Sequence, residues 1–160
     1  MSHYFFVYGT LRAGLRLNYN MKRATYVGGA TLKGSLYDTG TYPALCMNSL
    51  ESESSAASTT AEVEIIGEIF SGDDELLKLL DEVEGYYPDN AEIKSLYIRH
   101  LVNVTCTSDE KGNPVSSTRP AFVYIYNYDI ASLVPIPGGD YKAYLEQKVI
   151  PMTITRDDVN

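Results

Sequence analysis

The sequence predicts an α+β protein built on a small, strongly curved mixed sheet or β-barrel with flanking helices. Strand patterns dominate the chain, two or three segments have helical patterns, and glycines interrupt several of the strands. Glycines within strands are typical of bulges and of the tight bends at barrel corners. The 160 residues fit one domain, so residues 1–160 are interpreted as a single folded unit.

The first strand is predicted over Tyr4 to Val7, and it runs directly into the sequence Tyr8-Gly9-Thr10-Leu11. Gly9 lets the chain turn sharply, because positive φ is open to it and a ligand can approach its backbone closely. Successive backbone N–H groups in such a turn can converge on an anion or a polarised carbonyl. Many strands also end in Gly-Thr for packing reasons alone, so a purely structural turn is the alternative.

Short strands make up most of the remaining chain. Asn18 to Arg23 is predicted as a short helix. The polar segment from Asn48 to Thr60 is predicted as a mobile loop, because it has too few apolar residues to order itself by burial. Further strands are predicted at residues 26–37, 44–47, 63–70, 93–106 and 121–126, and a final helix from Tyr141 to Lys148.

The helix from Asp73 to Val83 has the clearest pattern in the chain. Asp73 or Ser71 can cap its N-terminus, and Gly85 is a natural stop at its C-terminus. Apolar residues at three- and four-residue spacing predict one buried face, formed by Leu76, Leu79, Leu80 and Val83.

Glu84 lies at the end of this helix and is the candidate catalytic residue. A carboxylate there faces the negative end of the helix dipole, which disfavours its charged form. Val83, Tyr86 and Tyr87 could surround it with apolar groups, and the loss of water would raise its pKa further. Such a carboxyl group could exchange protons near neutral pH, as a general acid/base must. The alternative is that Glu84 is one more exposed acid in an acidic segment.

The composition restricts the class of partner. A formal net charge of −8 argues against nucleic acid, which would require a basic patch. A basic cluster lies near the first turn and consists of Arg12, Arg16, Lys22 and Arg23. It either creates a local positive field for a small anion or forms a solvated face. No apolar run approaches the ~20 residues that span a bilayer, and the first residues lack a signal-peptide pattern. We therefore expect no membrane partner and a cytoplasmic location.

The few cysteines and histidines do not predict a metal site or a disulfide framework. Cys46 and Cys106 are far apart, and each lies in an apolar run that favours burial as a small hydrophobic residue. His3 and His100 have no cysteine or carboxylate at metal-ligand spacing. We expect the protein to act without a metal or a cofactor.

A set of motifs occurs in a fixed order along nearly the whole chain. They are Tyr8-Gly9-Thr10-Leu11-Arg12, Gly34-Ser35-Leu36-Tyr37, Gly40-Thr41-Tyr42-Pro43-Ala44, Gly67-Glu68-Ile69-Phe70, Leu80-Asp81-x-x-Glu84-Gly85, Tyr97-Ile98-Arg99 and Ala121-Phe122-Val123-Tyr124-Ile125-Tyr126. In this order the motifs resemble those of the γ-glutamylcyclotransferase-like family, also called the AIG2-like family. The resemblance implies that family's small barrel fold and a small-molecule γ-glutamyl substrate.

The resemblance also implies a reaction and assigns residues to it. The α-amine of a γ-glutamyl group would attack its own γ-carbonyl, so that 5-oxoproline and an amine or amino acid are released. Glu84 would take up a proton and return it to the leaving nitrogen. The substrate-binding candidates are Tyr8, Gly9, Thr10, Leu11, Tyr97, Arg99 and Tyr126.

Several of these assignments have structural alternatives. Tyr97 and Arg99 are two residues apart on one strand and point to one face, so Arg99 could bind a substrate carboxylate or pair with Asp81 or Glu82. Core packing is the alternative role for Tyr126, as it is for the neighbouring Tyr124.

Two departures from the family pattern leave the function open. Phe122 replaces a frequent tryptophan and keeps the aromatic packing. The segment from Tyr86 to Leu96 is longer than usual and could cover Glu84. The alternative function is therefore a non-catalytic binding module that keeps the pocket. A third hypothesis is lyase-like cleavage of a γ-glutamylated amine, which differs only in the leaving group. The sequence does not predict the oligomeric state.

Overall fold

A computed structural model describes residues 2–48 and 62–148. The strands are β1 (His3–Val7), β2 (Thr25–Asp38), β3 (Pro43–Cys46), β4 (Val63–Gly72), β5 (Tyr97–Ser108), β6 (Pro114–Tyr126) and β7 (Val134–Ile136). The helices are a 3-10 helix (Asn18–Met21), α1 (Asp74–Val83) and α2, which comprises residues 141–148. Apart from Asn48, the loop predicted from Asn48 to Thr60 lies outside the described residues.

Five strands close into a mixed barrel, which confirms the predicted fold class. The strands are hydrogen-bonded in the order β2-β4-β1-β6-β5, and β5 pairs again with β2 to close the ring. The β1–β6 pair is parallel, whereas the other four pairs of the ring are antiparallel. β3 and β7 lie outside the ring and pair with the far end of β2.

A bulge in β2 provides one of the bends that closure requires. The register between β2 and β4 shifts between Tyr26 and Gly28, as expected for a β-bulge. Gly28 has φ of +154°, and a Cβ atom at this position would lie 2.0 Å from the carbonyl oxygen of Ser108 on β5. Only glycine therefore allows the two strands to approach this closely at the point where the barrel closes.

The apolar side chains form two clusters, one on each face of the barrel wall. Neighbouring residues of a strand point to opposite faces, so Phe6 lies in the cluster inside the barrel, whereas Phe5 and Val7 lie in the outer cluster. α1 covers the outer cluster with Leu76 and Leu80, which are fully buried. The candidate site forms at the edge of this outer layer.

The predicted buried face of α1 is right in part. Asp73 caps the helix, because its carboxylate accepts a hydrogen bond from the amide of Leu76 at 3.0 Å. Leu79, however, is 37% exposed, and Leu77 packs against the outer cluster in its place. A short surface helix touches its neighbour along a limited stripe, and Leu79 lies outside the stripe that Leu76, Leu77 and Leu80 form.

The starts of β5 and β6 differ from those predicted, and one strand was not predicted. β6 begins at Pro114 instead of Ala121. β5 begins at Tyr97 instead of Ile93, and residues 91–96 form turns, bends and irregular backbone. The polar residues of this segment bond locally: the amide of Tyr87, for example, donates to the hydroxyl of Ser95 at 2.8 Å. β7 has no counterpart in the predicted elements, since a strand of three residues leaves almost no periodic signal.

Candidate active site

A cavity lies where the end of β1, the start of β3, the C-terminal end of α1 and the start of β5 meet. It brings together the two segments that the sequence singled out, the turn after β1 and Glu84. Its walls are formed by Phe6, Val7, Tyr8, Gly9, Thr10, Leu11, Leu17, Tyr42, Pro43, Val83, Glu84, Leu96, Tyr97 and Tyr124. None of these lining residues is a lysine or an arginine.

The turn at Gly9, Thr10 and Leu11 is held from the protein side through its carbonyl groups. These carbonyls accept hydrogen bonds from the amide of Arg12 at 3.0 Å, the amide of Leu17 at 2.9 Å and the side-chain amide of Asn18 at 2.8 Å, respectively. Within the described part of the chain, the three amide N–H groups of the turn have no acceptor. Buried amides are almost always paired, so this turn is ready to donate to a ligand.

Gly9 is needed for close packing instead of for positive φ. Gly9 is not among the described residues that have positive φ. A Cβ atom on Gly9 would lie 2.6 Å from the side chain of Pro43, closer than real Cβ contacts allow. The glycine therefore lets the turn touch Pro43 at the start of β3, and the positive φ that is open to glycine is not used here.

Glu84 is the C-cap of α1 and its side chain enters the cavity. Its amide continues the helix by donating to the carbonyl of Leu80 at 2.9 Å, and Gly85 then ends the helix with φ of +68°. The residue as a whole is partly exposed, but its carboxyl group is enclosed by the cavity walls, and this burial raises its pKa to about 8. Among the described residues the carboxyl group has no hydrogen-bond partner.

Three tyrosines surround Glu84, but each hydroxyl donates elsewhere. Tyr8 donates to the carbonyl of Tyr124 at 2.6 Å, Tyr97 to the carbonyl of Pro43 at 2.5 Å, and Tyr124 to the Oδ1 atom of Asp81 at 2.7 Å. Burial raises the pKa of Tyr8 and Tyr97; the next contribution comes from Glu84 for Tyr8, and from Tyr8 and then Glu84 for Tyr97, so both phenols are neutral. The surroundings of Glu84 thus come from β1, β5 and β6, whereas Tyr86 and Tyr87 do not line the cavity.

Arg99 and Tyr126 lie beside the cavity but do not line it. Arg99 forms an ion pair with Asp81, and its guanidinium group lies 4.9 Å from the ring centre of Phe122. Of the two roles expected for Arg99, the structure therefore shows the ion pair with Asp81. Tyr126 packs against Tyr97, with ring centres 5.6 Å apart, in the outer cluster. As direct ligands of a substrate, both residues stay predictions.

The basic cluster near the first turn does not surround the cavity. Arg12 is buried between Glu68 and Asp140, and Arg16 donates to the carbonyl of Thr41 at 3.0 Å. Arg23 is exposed and lies 4.0 Å from Asp73. Neither alternative fits Arg12, because it is buried instead of solvated and two carboxylates neutralise its charge.

Tyr42 and Pro43 had no assigned role at the sequence level, and Asp81 was named only as an alternative partner of Arg99. Tyr42 and Pro43 form one wall, and Asp81 anchors both Tyr124 and Arg99. Their motifs, the Gly-x-Tyr-Pro-Ala segment and Leu-Asp-x-x-Glu-Gly, were visible, but motif membership does not say which side chains meet. The longer segment 86–96 contributes Leu96 to the lining. Over the described ranges, no three His, Cys, Asp or Glu side chains are grouped as metal ligands would be.

The helices of the described ranges give no candidate for a membrane span, since each is too short or too polar to cross a bilayer.

Comparison with known proteins gives the same family from sequence and the same fold from structure. Residues 5–143 match the family described as "Gamma-glutamyl cyclotransferase, AIG2-like". A curated relative, the gamma-L-glutamyl-butirosin B gamma-glutamyl cyclotransferase of Niallia circulans, is 35% identical over 142 residues, which cover 87% of this chain and 75% of the relative.

Two solved structures share the fold. YkqA from Bacillus subtilis superimposes with a TM-score of 0.60 at 23% identity over 90% of this chain, which spans 41% of YkqA. An AIG2-like protein from Mus musculus gives a TM-score of 0.60 at 24% identity over 87% of this chain and 88% of the mouse protein. With a family match along most of its length and a relative of this identity, the chain belongs to the γ-glutamyl cyclotransferase, AIG2-like family.

Proposed function

We propose that this protein cyclises the γ-glutamyl group of a small molecule, releasing 5-oxoproline and an amine or amino acid. Family membership and the named activity of the Niallia circulans relative support this class of reaction. The observation that carries the proposal is the carboxyl group of Glu84, which shares one cavity with the turn formed by Gly9, Thr10 and Leu11. Neither this carboxyl group nor the amides of the turn have a hydrogen-bond partner among residues 2–48 and 62–148.

The reaction needs one proton carrier and little else. The α-nitrogen of the glutamyl group forms a bond to the γ-carbonyl carbon, and the bond from that carbon to the leaving nitrogen breaks. The α-ammonium gives one proton to the carboxylate of Glu84, which passes it to the leaving nitrogen. The attacking nitrogen loses its second proton as the ring forms, and the released amine takes up that proton and leaves as an ammonium ion. Because nucleophile and electrophile belong to one molecule, holding them in a reactive geometry can contribute roughly 7–11 kcal/mol.

The turn after β1 would supply the electrostatic part of catalysis. As the amine attacks, negative charge develops on the γ-carbonyl oxygen. The N–H groups of Gly9, Thr10 and Leu11 have no acceptor in the described protein, so they are available to stabilise that charge or to hold the glutamyl carboxylate. A donor of this kind typically contributes about 10²–10³ in rate.

The charges of the cavity favour an amine over an α-amino acid as the leaving group. A leaving amino acid carries its own carboxylate, which must find a cation or lose its water without compensation. The lining residues include no lysine or arginine, and the nearby Arg99 is already paired with Asp81. A neutral leaving group meets no such cost, and a positively charged one has the carboxyl group of Glu84 as a partner in the lining. The relative's named substrate is a γ-glutamyl derivative of butirosin B.

The test is 5-oxoproline release from a panel of γ-glutamyl amines and γ-glutamyl amino acids. We expect turnover by the native protein, preferentially with the amines, and a loss of at least about 10³-fold in kcat in Glu84→Gln, whose amide cannot carry the proton. Glu82→Gln is the matched control, because Glu82 is an exposed acid two residues away on the same helix. It should retain native activity.

Two outcomes would contradict the proposal. Substantial turnover by folded Glu84→Gln would remove Glu84 from its role. Release of no product from any substrate, together with saturable binding of 5-oxoproline, would favour the non-catalytic binding module instead.

A further inference from the structure

Glu68 is a buried carboxylate that the reaction itself does not use. It lies on β4 with 9% of its surface exposed, and it does not line the cavity that holds Glu84. Its Oε2 atom accepts a hydrogen bond from the Nε atom of Arg12 at 3.1 Å, and its Oε1 atom accepts one from the amide of Ala13 at 2.9 Å. Both oxygens are thus bonded to the two residues that directly follow the turn.

Arg12 extends this contact to a second element. It is 7% exposed, and its Nη1 atom donates to the Oδ1 atom of Asp140 at 2.9 Å. The same carboxylate accepts from the amide of Lys142 at 3.1 Å, at the start of α2. The end of the turn is therefore fixed between β4 of the barrel and the last helix.

Stability alone does not explain why a charged pair is buried here. Taking two charges out of water costs several kcal/mol for each ion, and a buried ion pair often contributes no more stability than apolar residues of the same volume. What the pair does provide is directional geometry. One carboxylate fixes a side chain and a backbone amide of consecutive residues, so the path of the chain leaving the turn has little freedom.

We propose that Glu68 is a positioning residue for the amides of the turn at Gly9–Leu11. By holding Arg12 and Ala13 it fixes one end of the turn, while Asn18 holds the carbonyl of Leu11. The turn, which lines the cavity, then keeps one conformation before a ligand arrives. This role rests on the proposed function only where it refers to catalysis, because the order of the turn can be measured without turnover.

The first test is the activity of Glu68→Gln with a γ-glutamyl substrate that the native protein turns over. A displaced oxyanion donor lowers kcat by about 10–100-fold, with a smaller change in KM. The pH dependence of kcat/KM should keep its native midpoint, because Glu84 is not altered. Asp109→Asn is the matched control: Asp109 also accepts backbone amides, at 2.9 Å from Lys111 and Asn113, but it lies in the β5–β6 turn. It should retain native kcat.

The second test does not depend on activity. In native protein labelled with ¹⁵N, the amides of Gly9, Thr10 and Leu11 should show heteronuclear NOE values typical of rigid backbone, and shifts on titration with 5-oxoproline. In Glu68→Gln the same amides should become mobile while those of β4 stay rigid. A rigid, native-like turn in that variant would overturn the proposal, whether or not the native protein is an enzyme.

A purely structural role gives a different result. If Glu68 only stabilises the fold, Glu68→Gln unfolds at a lower temperature, but its folded fraction keeps native kcat and native heteronuclear NOE values at the turn amides. That outcome also overturns the proposal. If Glu68→Gln does not fold, Glu68→Asp takes its place, because it keeps the charge opposite Arg12 but is one methylene too short to reach both donors. If the native protein binds 5-oxoproline but releases none, the proposed function fails while the amide measurement still decides the role of Glu68.

Discussion

At the scale of single residues, the important property of Glu84 is that nothing in the described protein bonds to its carboxyl group. Three phenols lie close by, yet their hydroxyl groups are committed to Tyr124, Pro43 and Asp81. A hydrogen bond donated to the carboxylate would stabilise its charged form and lower its pKa. Without one, burial dominates, and the group titrates near the pH at which it must exchange a proton.

The residue-scale prediction concerns the pH dependence of activity. The free enzyme must hold Glu84 as a carboxylate to accept the proton of the substrate ammonium, and burial raises the pKa of Glu84 to about 8. We therefore expect kcat/KM to fall about tenfold per pH unit below pH 8. An initial-rate pH profile checks this, and a profile that is flat from pH 5 to pH 8 would contradict the assignment.

Residue identities predicted the candidate site better than they predicted its contacts. Glu84 was predictable because a helix pattern, a terminal glycine and an acid coincide within twelve residues, all of them local signals. The ion pair between Asp81 and Arg99 joins α1 to β5, so several geometries fitted the sequence equally well. The contact of Gly9 with Pro43 depends on how β1 and β3 approach each other, which spacing along the chain does not encode.

At the scale of elements, the site depends on how α1 ends. Glu84 still has helical backbone angles, and Gly85 leaves the helix with φ of +68°. The amide of Leu96 donates to the carbonyl of Gly85 at 2.9 Å, which ties the helix end to the segment that leads into β5. The direction of the Glu84 side chain therefore follows from this stop.

Replacing the stop should move Glu84. In Gly85→Ala the left-handed backbone costs about 1–2 kcal/mol, and the new Cβ would lie 3.2 Å from the Cβ atom of Leu96. We expect the free energy of unfolding to fall by about this amount and kcat to fall at least tenfold. Urea unfolding and steady-state kinetics measure the two effects.

Gly112→Ala is the control that separates the cost of a strained backbone from the effect of moving Glu84. Gly112 has φ of +84°, but nothing lies within 4 Å of its would-be Cβ, and it is in the β5–β6 turn. It should lose a similar amount of stability and keep native kcat. Equal losses of kcat in the two variants would show that the position of the helix end does not matter.

At the scale of the whole molecule, the barrel brings strands that are distant in the sequence to the two sides of β1. β1 lies between β4 and β6, and its two flanking strands deliver Glu68 and Tyr124 to the two sides of the turn. The sequence predicted the barrel from strand number and glycine positions, but strand order depends on pairings between distant segments. The glycines predicted that the strands contain bulges, and one lies at Gly28. That Gly28 packs against Ser108 became known only from the structure.

The buried acid also has a consequence for the stability of the whole fold. Glu84 has a higher pKa in the folded state than in the unfolded chain, whose ordinary value is 4.5. Its contribution to stability is therefore fully present below pH 4.5 and is lost as pH rises through about 8. The maximal slope is about 1.4 kcal/mol per pH unit.

A comparison of the native protein with Glu84→Gln isolates this effect. Other acids also make stability depend on pH. The pKa of Asp38, for example, is raised by burial but lowered overall by its hydrogen bonds to Lys148, Tyr144 and Gly40. Because Asp38 is present in both proteins, its contribution cancels in the difference. We expect Glu84→Gln to gain stability relative to the native protein between pH 5 and pH 8, and the gain to level off above pH 8. Urea unfolding at several pH values checks this, and a difference independent of pH would show that Glu84 is not buried as an acid.

The central claim is that one ligand contacts the amides of the turn and the carboxyl group of Glu84 together. A crystal structure of the protein with bound 5-oxoproline measures this directly. We predict that an oxygen of the ligand lies within about 3.2 Å of amides in the turn at Gly9–Leu11, and that its ring nitrogen lies within the same reach of Glu84. A ligand bound elsewhere, or one that contacts the turn with its nitrogen directed away from Glu84, would contradict the account.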